Sequence, residues 1–115
     1  RQSIGDFQIA RAGWIGDYID PKSFLDMMVT GRGNNQTGWS NKEFDDLLIA
    51  AANSTSQDQR FSNFYEAEKI LIEEMPIIPI YTYTRIYMLH EDVQGWGNNL
   101  LDSRPYQFVY LENKE

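Results

Sequence analysis

Apolar positions along the chain follow two different periods. Between residues 6 and 14 they alternate: Phe7, Ile9 and Arg11 fall on one face, Gln8, Ala10 and Ala12 on the other. A period of two predicts a strand, and the small residues on one face suit a sheet closely covered by helices. Gly13 and Gly16 then punctuate the run to Tyr18, predicting a sharp loop at the strand end. Asp20-Pro21 predicts a helix start, with Asp20 as the cap, Pro21 at the first helical position and Phe24, Leu25 and Met28 as the apolar stripe. Residues 30–38 are polar and glycine-rich without a period, which reads as a loop.

The middle of the chain is helical in pattern. Ser40 to Glu43 has the spacing of a capping box, and Phe44, Leu47, Leu48 and Ala51 follow as a stripe. A second box, Ser56 to Gln59, opens a longer helix with Phe61, Phe64, Ala67, Ile70, Leu71 and Met75. Only Asn53, Ser54 and Thr55 separate the two, so they predict an antiparallel helical hairpin. Pro76 ends it. Residues 77–84 and 85–89 are rich in Ile and Tyr and read as strands, although Pro79 confines the first to an edge or an irregular crossing. The pattern weakens through Gly95 to Asn99, and a last strand is predicted over residues 107–111. Strand, three helices, two strands, loop and strand is an α/β order. Such a sheet needs several strands, so its first and last members here lack neighbours within the chain.

Composition narrows the class. The 115 residues amount to at most one domain. With 42% hydrophobic and 14% aromatic residues the chain is too rich in core formers for a disordered tail. The net charge is −7, from 10 Lys+Arg against 17 Asp+Glu. That balance repels phosphate and argues against nucleic acid or an anionic membrane surface as a partner. No cysteine is present, which excludes a disulfide framework, a thiolate nucleophile and a cysteine-ligated zinc. The chain opens on Arg1-Gln2-Ser3 with neither an initiator Met nor a signal-peptide pattern, and is expected to be a piece of a longer protein.

The densest chemistry lies between Arg11 and Asp20, where a cation, an indole, two carboxylates and a phenol share one strand-to-helix turn. Such turns are where α/β folds place ligands. Asp17 beside Trp14 can hold a ligand ammonium by charge-assisted hydrogen bonds, and Trp14 offers an apolar wall or a cation–π face. The plain structural reading keeps Trp14 as a core anchor and Asp17 as a turn residue; for Asp20, capping is the expected role. Two other chemistries use the same residues. Asp17 and Asp20 could form the acid/base pair of a glycoside hydrolase, though no second motif supports it. Asp17, Asp20, Asn34 and Asn35 could offer oxygens to calcium, without the spacing of an EF-hand loop. His90, the single histidine, reads as a surface residue between Leu89 and Glu91. Trp39, Trp96 and the run Tyr81, Tyr83, Tyr87 read first as packing residues.

Four segments, in order, carry a family resemblance. Residues 10–25 (Ala-Arg-Ala-Gly-Trp-Ile-Gly-Asp-Tyr-Ile-Asp-Pro-Lys-Ser-Phe-Leu) resemble the signature near the C-terminal end of the oligopeptide- and dipeptide-binding proteins of ABC importers, solute-binding protein family 5. Residues 40–51, centred on Phe44-Asp45-Asp46-Leu47, resemble that family's next helix start. Gln59-Arg60 with Tyr65, Ala67, Glu68 and Leu71 resembles the helix after it. Met75 to Tyr83 resembles its Pro-Ile-Ile-Pro-Ile-Tyr strand. The match runs from about Phe7 to Tyr87.

That resemblance implies the C-terminal portion of a two-lobed periplasmic binding protein-like (type II) fold, with residues 1–83 in the second lobe and 84–115 returning to the first. It implies a binding protein rather than an enzyme, without a cofactor or a metal. Its partners would be a peptide ligand and a membrane permease, and its place the periplasm or the cell exterior, with a lipid anchor as one possibility. The family's ammonium-binding carboxylate falls on Asp17 and its pocket tryptophan on Trp14. Arg11 matches an arginine that in some relatives helps to recognise the ligand's carboxylate end. Where some relatives carry Cys-Ala between Trp and Asp, this chain carries Ile15-Gly16, which leaves Asp17 in register. Some family members bind sugars, metal chelates or haem, an alternative that an acidic anchor disfavours for sugars. A chain holding only part of a lobe is also expected to associate with other copies through the cut surface.

Overall fold

The computed structural model describes residues 5–97, 101 and 103–112. They form two compact units that divide between Pro79 and Ile80.

The first unit is built on a helical hairpin. Helix α1 covers Lys22–Leu25 and tightens into a 3-10 turn over Asp26–Met28; α2 covers Lys42–Asn53 and α3 covers Gln57–Glu74. The pairing of α2 with α3 follows from their stripes. Phe44, Leu48 and Ala51 of α2 meet Phe64, Ala67 and Leu71 of α3, and Leu25 and Met28 join the same buried cluster. Ala51, Ala67 and Phe44 are fully buried, so two methyl groups let the backbones approach while one ring fills the space between. Leu47 and Ile70 pack at the margin of this core. Phe24, Phe61 and Met75, expected in the stripes, are exposed.

Caps fix the ends. The first capping residue is Asn41, not Ser40: Asn41 Oδ1 accepts the Phe44 N–H at 3.0 Å. Ser40 Oγ instead accepts a hydrogen bond from the Thr30 hydroxyl at 3.2 Å. Ser56 caps α3 as its box predicts, accepting from Gln59 N–H at a long 3.5 Å. Glu74, the last residue of α3, accepts from Trp39 Nε1 at 2.7 Å and from Asn41 Nδ2 at 2.6 Å. Trp39 lies edge-on to Phe44 at 5.1 Å between ring centres. Met75 turns the chain out of α3 in the left-handed region, φ 51°, its N–H bonded to the Leu71 carbonyl at 2.9 Å.

The loop between α1 and α2 is organised by one amide. Asn35 Nδ2 donates to the carbonyls of Met28, Val29 and Trp39, and its Oδ1 accepts from the backbone and hydroxyl of Thr37.

Strands are where expectation and structure part. Residues 6–14 and 77–89 carry no ladder hydrogen bonds that make them strands. A strand exists only when a neighbour supplies the other half of each bond, and among the described residues neither segment has such a neighbour. The one ladder joins β1, Val93–Gln94, to β2, Tyr110–Leu111, antiparallel, with Val93 opposite Leu111 and Gln94 opposite Tyr110. It lies in the second unit. The strand expected over 107–111 is therefore only its last two residues, and residues 106–108 form a 3-10 turn. Gly95 makes the approach possible: its φ is +77°, and a Cβ there would stand 1.9 Å from the Phe108 carbonyl oxygen. In the same unit the Arg104 guanidinium lies over the rings of Tyr87 and Trp96, 5.1 and 4.9 Å from their centres. Of the weakly patterned loop over 95–99, Asn98 and Asn99 lie outside the described residues, as does the Arg1 to Ser3 opening.

Candidate functional site

The turn from Trp14 to Ser23 is shaped by close packing and by three carboxylate bonds. Gly16 lies under the ring of Phe24, and a Cβ at that position would meet two ring atoms at 3.1 Å. The Asp17 N–H donates to Ser23 Oγ at 2.7 Å, and Ser23 is the buried polar residue of the described core, 3% exposed. The Asp20 N–H donates to the Tyr18 carbonyl at 2.9 Å, and the Asp20 carbonyl accepts from the Ser23 N–H at 3.0 Å. The backbone of the turn is thus fixed on both sides of Asp17.

Asp20 is the centre of charge organisation. Its Oδ1 accepts from the Lys22 N–H at 2.9 Å. Arg60 of α3 reaches both carboxylate oxygens in a fork, Nη2 to Oδ1 at 2.8 Å and Nη1 to Oδ2 at 2.8 Å. Arg60 in turn lies over the Phe64 ring, 4.6 Å from its centre. The Arg60 hydrogen bond is the main reason that the Asp20 carboxyl is held below its ordinary range, with the Lys22 N–H helping and partial burial opposing. Desolvation, then the negative charges of Asp26, Asp20 and Asp17, push the Tyr18 phenol up.

The three residues singled out for ligand binding lie within seven positions of one another. Asp17 is exposed at the braced turn, Trp14 is 36% exposed, and Arg11 is exposed on the extended run before it. The structure brings Asp17 into the same electrostatic neighbourhood as Tyr18, Asp20 and Asp26. A groove along α2, lined by Lys42, Glu43, Asp46, Leu47 and Ala50, and a cleft between Gly95 and Arg104 in the second unit are built from other residues. No three metal-ligating carboxylates or imidazoles cluster among the described residues. Asn35, offered to calcium by the sequence, spends both ends of its amide on the loop. His90 Nδ1 lies 3.3 Å from Asp92 Oδ2 on the surface. No helix among the described residues is long and apolar enough to cross a membrane.

Arg60 and Ser23 carry the support of this turn, and the residue-level reading gave neither a role there. A signal for Arg60 exists. Positions 60, 64, 67 and 71 follow helical spacing, so a guanidinium stands where the stripe on α3 faces inward. A charge at such a position needs a partner.

No family model matches the chain. It is similar to the dipeptide-binding protein DppE of Bacillus subtilis, 44% identical over 89 residues, which is 77% of this chain and 16% of that protein. It is 43% identical over 91 residues to the oligopeptide-binding protein OppA of the same organism, covering 78% of this chain and 17% of that one. Among solved structures, the Escherichia coli murein tripeptide binding protein MppA matches at 32% identity with a TM-score of 0.88, over 96% of this chain and 22% of the MppA chain. The chain spans less than a quarter of the length of these relatives. It is an α/β portion of the fold seen in MppA, its helices and small sheet matching that solved peptide-binding protein over nearly all of its own length.

Proposed function

We propose that this chain, homologous to one section of the oligopeptide- and dipeptide-binding proteins, is the C-terminal part of the solute-binding component of an ABC importer. The whole protein captures oligopeptides or dipeptides between two lobes and hands them to a membrane permease. It works in the periplasm or outside the cell, with or without a lipid anchor, and is not an enzyme. Residues 1–83 belong to its second lobe and 84–115 to its first.

The observation that carries this reading is the exposed carboxylate of Asp17 on a turn whose backbone is held by the buried Ser23. An anchor for a free amino end needs a negative charge with accessible oxygens, and an exposed Asp17 on a braced backbone supports that role. Trp14 supplies a wall for a ligand side chain, and Arg11 a contact for the ligand's carboxylate end. An extended peptide pairs its backbone with strand edges whatever its sequence, and closure of the two lobes removes water from the ion pair. Closure strengthens the attraction while desolvation opposes it, so the gain depends on geometry. The glycoside hydrolase reading loses support because both oxygens of Asp20 are engaged by Arg60. The exposed apolar run Ile77, Ile78, Ile80, Ile86 and Met88 supports association between copies when the chain stands alone.

Calorimetric titration of the full-length protein with short peptides tests the anchor. Asp17→Asn is expected to weaken binding roughly tenfold or more, the scale of a charge-assisted hydrogen bond, and by more than Asp20→Asn. Equal losses, or none, would remove Asp17 from the role.

A further inference from the structure

Resting on that reading of Asp17, we propose that Arg60 and Asp20 are positioning residues that hold the Asp17 turn in its ligand-ready shape. A continuous set of contacts runs from core to turn. The Phe64 ring, 3% exposed, seats the Arg60 guanidinium at 4.6 Å. The guanidinium grips both oxygens of Asp20 at 2.8 Å. Asp20 holds the Lys22 N–H through its side chain and the Ser23 N–H through its carbonyl. Ser23 Oγ then holds the Asp17 N–H at 2.7 Å. Each link restrains the orientation of the next, and Asp17 is the end of the series.

A planar fork is what the task requires. Two parallel bonds fix the plane of the Asp20 carboxylate, whereas an ammonium at the same place would leave it free to rotate. A turn ordered before the ligand arrives does not have to be ordered by it, and the ligand keeps that part of its affinity. Arg60 touches no candidate ligand atom in this scheme, so it acts only through Asp20.

Simple charge attraction predicts the opposite sign for its removal. A cation near Asp17 repels a ligand ammonium, so deleting Arg60 should tighten binding if charge alone counted. If Arg60 positions the turn, deletion loosens binding.

The test measures trialanine and N-acetyl-trialanine binding to the full-length protein by titration calorimetry. The ratio of the two affinities reports recognition of the free amino end. Arg60→Lys and Arg60→Met are expected to lower that ratio about fivefold, less than Asp17→Asn does, with N-acetyl-trialanine binding little changed. A melting scan accompanies each variant; should Arg60→Met fail to fold, Arg60→Lys, which keeps charge and stem, decides. A ratio unchanged in Arg60→Lys, a tighter grip on trialanine, or an equal loss for both peptides overturns the proposal. Asp17→Asn separates the two readings. If it leaves the ratio unchanged, the anchor itself is wrong and this proposal falls with it. If it abolishes the ratio while the Arg60 variants keep it, only the positioning role falls.

Discussion

The Asp20 carboxylate accepts from three donors, two on Arg60 and one on the backbone of Lys22. Each favours its ionised form, and the consequence for stability has a definite sign. A carboxyl whose folded value lies below its ordinary 3.8 contributes stability that is fully present above that value. The contribution is lost as the pH falls from there through the depressed value. The stability difference between the native chain and Asp20→Asn should therefore be constant around neutral pH and shrink below about pH 4. Urea midpoints measured across that range check it, and a difference that persists unchanged into strong acid would show that Asp20 acts without its charge. With side chains 22% and 27% exposed, water and salt screen the pair, so its value lies in orientation more than in strength. The helix cap falls on Pro21, one residue later than expected, but the Asp20 bond to the Lys22 N–H is legible in the sequence because it is local, spanning two residues. The bond to Arg60 crosses forty positions. Only the misfit of a charged residue in an apolar stripe announces it.

Helices and their faces are legible for the same reason. A stripe such as Phe44, Leu48 and Ala51 shows its period in any window that contains it, and its burial follows. The cap of α2 shows the limit: Ser40 and Asn41 are adjacent, both are good caps, and the choice rests on Thr30 and Glu74, which lie far away in sequence. Asn41→Ala is accordingly expected to cost about 1 kcal/mol, and Ser40→Ala only a few tenths, in chemical denaturation. Equal costs would return the cap to Ser40. Strands were the least legible elements. Residues 6–14 and 77–89 have the composition of strands, yet a ladder requires a partner that the chain does not supply among its described residues. Conversely, the pairing of Val93–Gln94 with Tyr110–Leu111 depends on Gly95 admitting the Phe108 carbonyl, which no periodicity records.

At the scale of the molecule, the ordered motifs from Phe7 to Tyr87 carry a resemblance to peptide-binding proteins, and the chain is similar to such proteins, where composition gives only an acidic α/β piece. The kinship with DppE, OppA and MppA shows how small a share of such a protein this chain spans. One exposed segment bears on the proposed association between copies. From Ile80 to Leu89 every residue is exposed, with Ile80 at 84%, Ile86 at 92% and Met88 at 100%, and Arg85 is the sole formal charge between Glu74 and His90. Sedimentation over a range of concentrations should show mass growing with concentration, and Ile86→Lys should suppress the growth; a constant monomer mass would refute this. Ten residues of high β-propensity with one cation and no proline are also the recipe for cross-β stacking. Arg85 stands in that stretch as a gatekeeper charge would, so Arg85→Ile is expected to hasten fibril formation in a dye-binding assay, and an unchanged lag time would deny it the role.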